Sequence, residues 1–209
     1  PCPEEGSPIM ANDWNLPTTE GGFDFIMADP PRHFKTFSPK GGGKSPQAHY
    51  RTEPLDVIKA IPVRDVAAKD CLLWLWATGA NLPLALQVVE AWGFRYSTLG
   101  YWGKLTKTGK IGFGTGYGFR CAGEPIILAR RGKPKNERTV RSLIMGVGGP
   151  GSGRAHSEKP EEGYRAAEAL MPNARRLDLF SRKTRPGWTA FGDEAGKFDA
   201  AIRNLDLGE

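Results

Sequence analysis

Apolar residues along this chain fall into short runs, and between several of the runs they recur every third or fourth position. Phe23 to Ala28 and Leu72 to Ala77 are nearly continuous apolar stretches, the pattern of strands buried on both faces. Phe94 to Trp102 alternates less cleanly but predicts another strand, and Glu124 to Ala129, Arg176 to Phe180 and Trp188 to Phe191 predict three more. Between them Leu82, Ala85, Leu86, Val89 and Trp92 keep helical spacing until Gly93 stops the helix. Further helices are predicted from about 53 to 61, capped by Thr52 with Pro54 in the first turn, from Lys159 to Met171, and from Ala195 to Asn204. Strands alternating with helices imply an α/β fold, a mostly parallel sheet with helices on both faces. No internal repeat is visible.

Residues 1 to 22, rich in Pro, Gly, Asn and acids, read as an irregular lead-in, and 23 to 209 as one domain. Two glycine-rich loops interrupt the pattern. Ser38 to Pro46 is basic and follows the first strand directly; it reads either as a linker or as a lid or substrate loop. Gly112, Gly114, Gly116 and Gly118 alternate with Phe113, Thr115, Tyr117 and Phe119, whose aromatics can stack on a base. Arg130 to Arg141 forms a basic, polar excursion.

The first strand ends in Asp29-Pro30-Pro31-Arg32. Neither proline can donate a ladder hydrogen bond, and each pushes the residue before it out of the helical region. The strand therefore closes in a stiff turn with Asp29 at its tip, where open α/β sheets bind ligands. A carboxylate followed by a rigid carbonyl suits methylation of an exocyclic amine on a nucleobase. Such a nitrogen is a poor nucleophile, and two fixed acceptors drawing on its N–H groups aim its lone pair and stabilise the positive charge growing on it. The plain alternative is a turn whose Asp caps nearby backbone N–H groups.

Composition narrows the setting. With 209 residues and 39% hydrophobic content the chain can fill one core, and 29 basic against 23 acidic residues give a net charge of +6 that fits a polyanionic partner. No run approaches the ~20 apolar residues of a membrane helix and no signal peptide opens the chain. Cys2, Cys71 and Cys121 show neither a disulfide framework nor zinc spacing, and Cys71 begins an apolar run that buries it. The expectation is a cytoplasmic protein. The chain begins Pro1-Cys2-Pro3, and Met10 is another candidate start.

Gly146 to Gly151 formally matches the dinucleotide fingerprint, but no helix opens directly after it, so a nicotinamide cofactor is set aside. His156 to Glu162 instead opens a helix, which places Lys159 beside free backbone N–H groups as a pocket for a small carboxylate; capping by Ser157 explains the other residues equally well. Leu177 to Arg182 is a strand that leaves Asp178 and Arg182 at its end, and Asp193 and Glu194 follow the next one. Acids in these places accept from ribose hydroxyls. Arg182 has the alternative of a structural ion pair with Asp178 or Glu194.

Taken in order, Ala28-Asp29-Pro30-Pro31, His156-Ser157-x-Lys159-Pro160, and Leu177-x-Leu179-Phe180-x-Arg182-x-x-Arg185-x-Gly187-Trp188-x-x-x-Gly192-x-Glu194 resemble the adenine-N6 methyltransferases typified by the catalytic subunit of the eukaryotic mRNA enzyme. Leu73 to Gly79 and Glu124-Pro125 match as well, so the resemblance runs from about Phe23 to Glu194. Bacterial and phage members of that family modify DNA. The resemblance implies a Rossmann-like methyltransferase fold in permuted order, with the catalytic motif before the cofactor motif, and S-adenosylmethionine as methyl donor, without a metal. It implies that Asp29, with Pro30 and Pro31, holds the target amine and that Asp29 also lies near the donor's amino group. Lys159 then binds the donor's carboxylate, and Asp178, Arg182, Asp193 and Glu194 line the donor site. Thr115 to Arg120, including Tyr117, falls where the family has a substrate loop. Where the family has a base-stacking aromatic, this chain has Arg32; either Arg32 or Phe34 stacks on the base here, or activity is reduced or lost.

The reading that follows is a single-domain methyltransferase for the N6 amine of adenine in nucleic acid, reached by base flipping if the substrate is a duplex. DNA is favoured over RNA because the chain is compact, and a bacterial or phage-infected cell is the expected setting. A homodimer or a partner subunit is compatible with it. The alternatives are a catalytically silent nucleic-acid-binding subunit and a methyltransferase for a small molecule or protein.

Overall fold

The computed structural model describes residues 14–31, 53–116, 118–148, 158–192 and 195–196. Among them seven strands form one sheet: β1 (Phe23–Ala28), β2 (Ala67–Trp76), β3 (Arg95–Leu105), β4 (Gly123–Arg131), β5 (Leu143–Val147), β6 (Arg176–Leu179) and β7 (Trp188–Phe191). Their order is β5-β3-β4-β2-β1-β6-β7. Only β4 runs against its neighbours; the β1–β2, β1–β6, β3–β5 and β6–β7 pairings are parallel, as the alternating pattern predicts.

Helices cover both faces. On one, α1 (Leu55–Ala60) and α3 (Leu82–Ala91) set Ile58, Val88 and Val89 against Ile26, Leu73 and Leu177; the short α2 (Val63–Val66) adds Val63 and Val66 to the same core. On the other, α4 (Glu161–Leu170) sets Ala167 and Leu170 against Phe25, Met27 and the tryptophans of β2. Because side chains alternate along a strand, Phe25 and Met27 serve one core and Ile26 and Ala28 the other. That is why β1 reads as an unbroken apolar run. Its two parallel neighbours leave it no free edge.

Several boundaries differ from the predicted ones. Helix α4 starts at Glu161, because Pro160 disfavours helical geometry at Lys159 and serves as the N-cap itself. Helix α1 is likewise preceded by Pro54, with no side-chain cap; the predicted cap Thr52 lies outside the described residues. Strand β2 begins at Ala67, since Ala67 already pairs with Phe23. Helix α3 ends as expected before Gly93, whose φ of +79° closes the turn. Arg130 and Arg131 belong to β4, so the basic excursion begins at Gly132. Gly146 lies inside β5 and its carbonyl accepts from Trp102 Nε1, which makes it part of the sheet and no phosphate turn. Of the predicted closing helix only Ala195 and Gly196 are described, as a turn. Cys71 is fully buried, as expected, and burial pushes its thiol up to about 12. No helix among the described residues is long and apolar enough to cross a membrane.

Helices α1 and α3 are joined through Trp92, fully buried, whose Nε1 donates to the Ile58 carbonyl at 2.9 Å. Trp92→Phe removes that bond and part of the packing. It is expected to lower the stability to urea by about 1–3 kcal/mol, measured as a drop in the unfolding midpoint.

Candidate active site

The carboxyl ends of β1, β2, β3 and β6 lie at one edge of the sheet, and β4, running the other way, brings its amino end there. At this edge an open cleft is lined by Asp29, Trp76, Glu158, Lys159, Tyr164, Asp178, Phe180, Ser181, Arg182, Lys183 and Arg185. Asp29, Lys159, Asp178 and Arg182, separated by up to 153 positions in the chain, are thus brought together.

Asp29 stands half-buried at the end of β1, with Pro30 buried behind it. The turn is pinned from both sides: the Asp29 N–H donates to the Leu179 carbonyl at 3.4 Å, and the Pro31 carbonyl accepts from the Glu53 N–H at 2.7 Å. Arg32 and Phe34 lie outside the described residues, as do Tyr117, Asp193 and Glu194.

Lys159 is not arranged as the sequence suggested. Its Nζ lies 2.9 Å from Asp29 Oδ2 and 3.2 Å from Glu124 Oε2, in the extended segment before α4. Burial alone would lower this ammonium's pKa; the Asp29 and Glu124 carboxylates overcome that and raise it above the ordinary value. Glu124 is pulled in the opposite sense. Burial would raise its pKa, but Lys159 and Lys104, the latter 2.7 Å from Oε1, hold it below the usual range. Arg182, Lys183 and Arg185 line the same cleft as further cations.

Asp178 is 4% exposed, and its Oδ2 accepts from the Tyr164 hydroxyl at 2.9 Å and the Ser181 hydroxyl at 2.8 Å. These donors are its hydrogen-bond partners, in place of the ion pair with Arg182 that the sequence left open. Ser181 can reach back because Phe180 adopts a φ of +68°, which folds the chain sharply at the end of β6. Gly192 permits this turn: a Cβ there would lie 2.7 Å from the Ser181 carbonyl oxygen. Burial pushes the Asp178 carboxyl up to about 6, against the pull of the Ser181 and Tyr164 hydrogen bonds.

Tyr164 is held in turn. The Arg185 guanidinium lies 3.5 Å from its ring centroid, and Trp188 meets the ring edge-on at 5.5 Å. Arg185 forks onto both carboxylate oxygens of Glu161, and Lys183 reaches Glu161 Oε1 at 3.2 Å. Burial acts to raise the Glu161 pKa, yet these cations bring it down to about 2. Tyr164, Ser181, Glu161 and Lys183 escaped sequence reasoning, having no motif of their own. For Arg185 and Glu124 the signal was present in the matched motifs, without a role attached.

Thr115 and Arg120 are exposed in the loop between β3 and β4, which emerges at the same edge as Asp29. Arg120 Nε donates to the Gly114 carbonyl, and its guanidinium lies 5.0 Å from the Phe113 ring. The basic excursion leaves the opposite edge. It follows the carboxyl end of β4, roughly 25 Å of strand away from Glu124. Among the described residues no group of three or more His, Cys, Asp or Glu could hold a metal ion.

The MT-A70 family model matches residues 23–194. Among curated relatives, the N(6)-adenosine-methyltransferase MT-A70-like protein of Arabidopsis thaliana is 28% identical over 83% of this chain and 24% of its own length. The Type II methyltransferase M.MunI of Mycoplasma sp is 28% identical over 69% of this chain and 59% of its own. The N(6)-adenine-specific methyltransferase METTL4 of Homo sapiens is 28% identical over 84% of this chain and 38% of its own. The chain thus spans between about a quarter and three fifths of these relatives.

The Asp178 environment has a consequence for pH. A carboxyl whose pKa is raised in the folded state binds its proton more tightly there than in the unfolded chain, so its contribution to stability is lost as pH rises from about 4 through 6. Glu161, lowered, acts in the opposite direction at lower pH, its contribution present above about 4.5 and lost towards 2. Asp178→Asn isolates the first effect. Between pH 4 and pH 7.5 the variant's stability relative to the parent should improve by about 2 kcal/mol, read from denaturant unfolding at both pH values.

Proposed function

The chain belongs to the MT-A70 family, and from that membership we propose that it is an S-adenosylmethionine-dependent methyltransferase for the N6 amine of adenine in nucleic acid. The carrying observation is that Asp29, at the tip of β1, shares one cleft with Lys159 and with Asp178 on β6. DNA is the polymer favoured in this reading, as the resemblance to DNA-modifying members implies. The net charge of +6 suits either polymer. The motif order, Asp29 on β1 before Lys159 and Asp178, agrees with a permuted Rossmann-like methyltransferase.

The cleft suits the donor chemically. Bound there, S-adenosylmethionine supplies an electrophilic methyl group. Lys159 holds its carboxylate, with Arg182 close by on the lining. Tyr164 and Ser181 both donate to Asp178 Oδ2, which leaves Oδ1 as an acceptor for a ribose hydroxyl. From their motif positions Asp193 and Glu194 complete that contact. The Asp29 carboxylate and the Pro30 carbonyl would accept the two N–H groups of the adenine amine, aim its lone pair at the methyl group and stabilise the positive charge that develops on nitrogen as the N–C bond forms and the donor's S–C bond breaks, one N–H proton then passing to Asp29. The rigid Pro30-Pro31 turn keeps both acceptors in place. Arg32 or Phe34 stacks on the base, and Thr115, Tyr117 and Arg120 belong to the loop that receives the polymer.

A second reading rests on one residue. Arg32 stands where the resemblance implies an aromatic, and a chain that has lost base stacking serves as a silent nucleic-acid-binding subunit beside an active partner.

Methyl transfer from radiolabelled donor to DNA and to RNA tests the proposal. Asp29→Ala should abolish transfer while the fold survives, since Asp29 is half-buried at a strand tip and outside the core and Lys159 keeps Glu124 as a partner; near-parent turnover in a folded variant would remove Asp29 from the chemistry. Lys159→Ala should weaken donor binding by about 1.5–3 kcal/mol in calorimetry. Arg32→Ala should slow single-turnover methylation, with stacking worth about 1–3 kcal/mol per base, and Arg32→Trp should preserve or raise it. Activity found only in the tryptophan variant would establish the silent-subunit reading instead.

A further inference from the structure

Four charged side chains alternate in sign along the active edge of the sheet. Lys104 lies next to the end of β3, Glu124 next to the start of β4, Asp29 follows β1, and Lys159 arrives from the segment before α4. In the sheet order β3-β4-β2-β1 the place between Glu124 and Asp29 belongs to β2, whose last residue, Trp76, carries no charge. Lys159 spans that gap. Its Nζ lies 5.5 Å from the Trp76 ring and reaches a carboxylate on either side. Lys104 repeats the arrangement one strand out, 5.0 Å from the Trp102 ring, and Trp102 meets Trp76 edge-on at 6.1 Å.

Three members of this row are largely buried and the fourth is half-buried. The side chains of Lys159, Lys104 and Glu124 are 11%, 15% and 16% exposed, and that of Asp29 is 36% exposed. Only Asp29 and Lys159 line the cleft, so Glu124 and Lys104 stand behind it. A buried charge without a partner is costly, so each member depends on the next. The Glu124 carboxylate is divided, Oε1 to Lys104 and Oε2 to Lys159. Without Lys104, the whole Glu124 charge would bear on Lys159 and draw it away from Asp29.

We propose that Glu124 and Lys104 are positioning residues of the reacting centre: Lys104 occupies one oxygen of Glu124, so that Glu124 shares Lys159 with Asp29 instead of capturing it. Lys104 thereby acts at a distance of three ionic contacts on the carboxylate that holds the amine. This rests on the assignment of Asp29 and Lys159 to the reaction, and it gives the outer two residues a role that neither a phosphate contact nor a fold-stabilising pair would share.

The test is a double-mutant cycle in the full chain. Single-turnover methylation is measured for the parent, Lys104→Met, Glu124→Gln, the double variant and Lys104→Arg, with thermal melting as a check on folding. Each of the first two changes should slow transfer about tenfold, within the range of coupled neighbours. The double variant should be no slower than Glu124→Gln, because Lys104 acts only through Glu124, and Lys104→Arg should keep the parent rate. The salt dependence of nucleic-acid binding should be unchanged in Lys104→Met. Losses that multiply in the double variant, or a reduced salt slope in Lys104→Met, which marks a phosphate contact, would overturn the proposal.

A second readout needs no turnover. Reductive methylation with formaldehyde, followed by peptide mass spectrometry, reports the neutral-amine fraction of Lys159. Loss of the Glu124 contact should raise its labelling several-fold in Glu124→Gln, which removes the charge, or in Glu124→Asp, which draws the carboxylate back, if the first variant does not fold. Unchanged labelling would overturn the positioning role, whereas increased labelling in a chain that methylates no nucleic acid would uphold the ladder and refute the methyltransferase assignment alone.

Discussion

The ammonium of Lys159 is the contact on which the cleft edge of the sheet depends. A lysine head with 11% of its side chain exposed is tolerated only between carboxylates, and the two that receive it come from residues 29 and 124, on strands that are not neighbours in the sheet. The ion pairs thus clasp β1 and β4 across β2 and tie both to the start of α4. Pro160 contributes by fixing where α4 begins, which leaves Lys159 in extended chain with its side chain free to cross the strand ends.

The other half of the cleft is built from neutral hydrogen bonds to an acid. Asp178 sits deep at the end of β6 and is pushed up to about 6, whereas Glu161 at the start of α4 is brought down to about 2. These two carboxyl groups therefore respond oppositely to pH. The difference lies in their partners: hydroxyl groups answer Asp178, while two cations outweigh burial at Glu161. Tyr164 joins the two halves, since it donates to Asp178 and stacks beneath the arginine that pairs with Glu161. Trp188, prominent in the sequence motif, supports Tyr164 from below and donates to Glu168 of the same helix. Its place in the motif is thus explained by packing.

Charge is distributed unevenly over the rest of the molecule. The basic stretch that begins with Arg130 and Arg131 lies at the far edge of the sheet, and Arg131 is itself engaged with the carbonyls of Arg64 and Ala67. Net positive charge is a property of the whole chain. Whether a cation faces the cleft depends on strand direction, and β4 is the strand that runs in reverse.

The sequence by itself determined most of the elements and the stiff turn that closes β1. Continuous apolar runs marked β1 and β2 because strands buried on both faces need apolar residues at every position, and the prolines after Asp29 determined the turn through their own covalent geometry. These are local constraints, and local constraints are written in neighbouring residues. The tertiary structure alone decided who pairs with whom. Nothing near Lys159 in the chain points to Glu124, 35 residues earlier, and nothing near Asp178 reveals that it is held by Tyr164 from a different element. The antiparallel course of β4 brought Glu124 to the cleft edge and took the basic excursion away from it. Strand direction follows from how the whole sheet closes over its two cores, and no single segment carries that information.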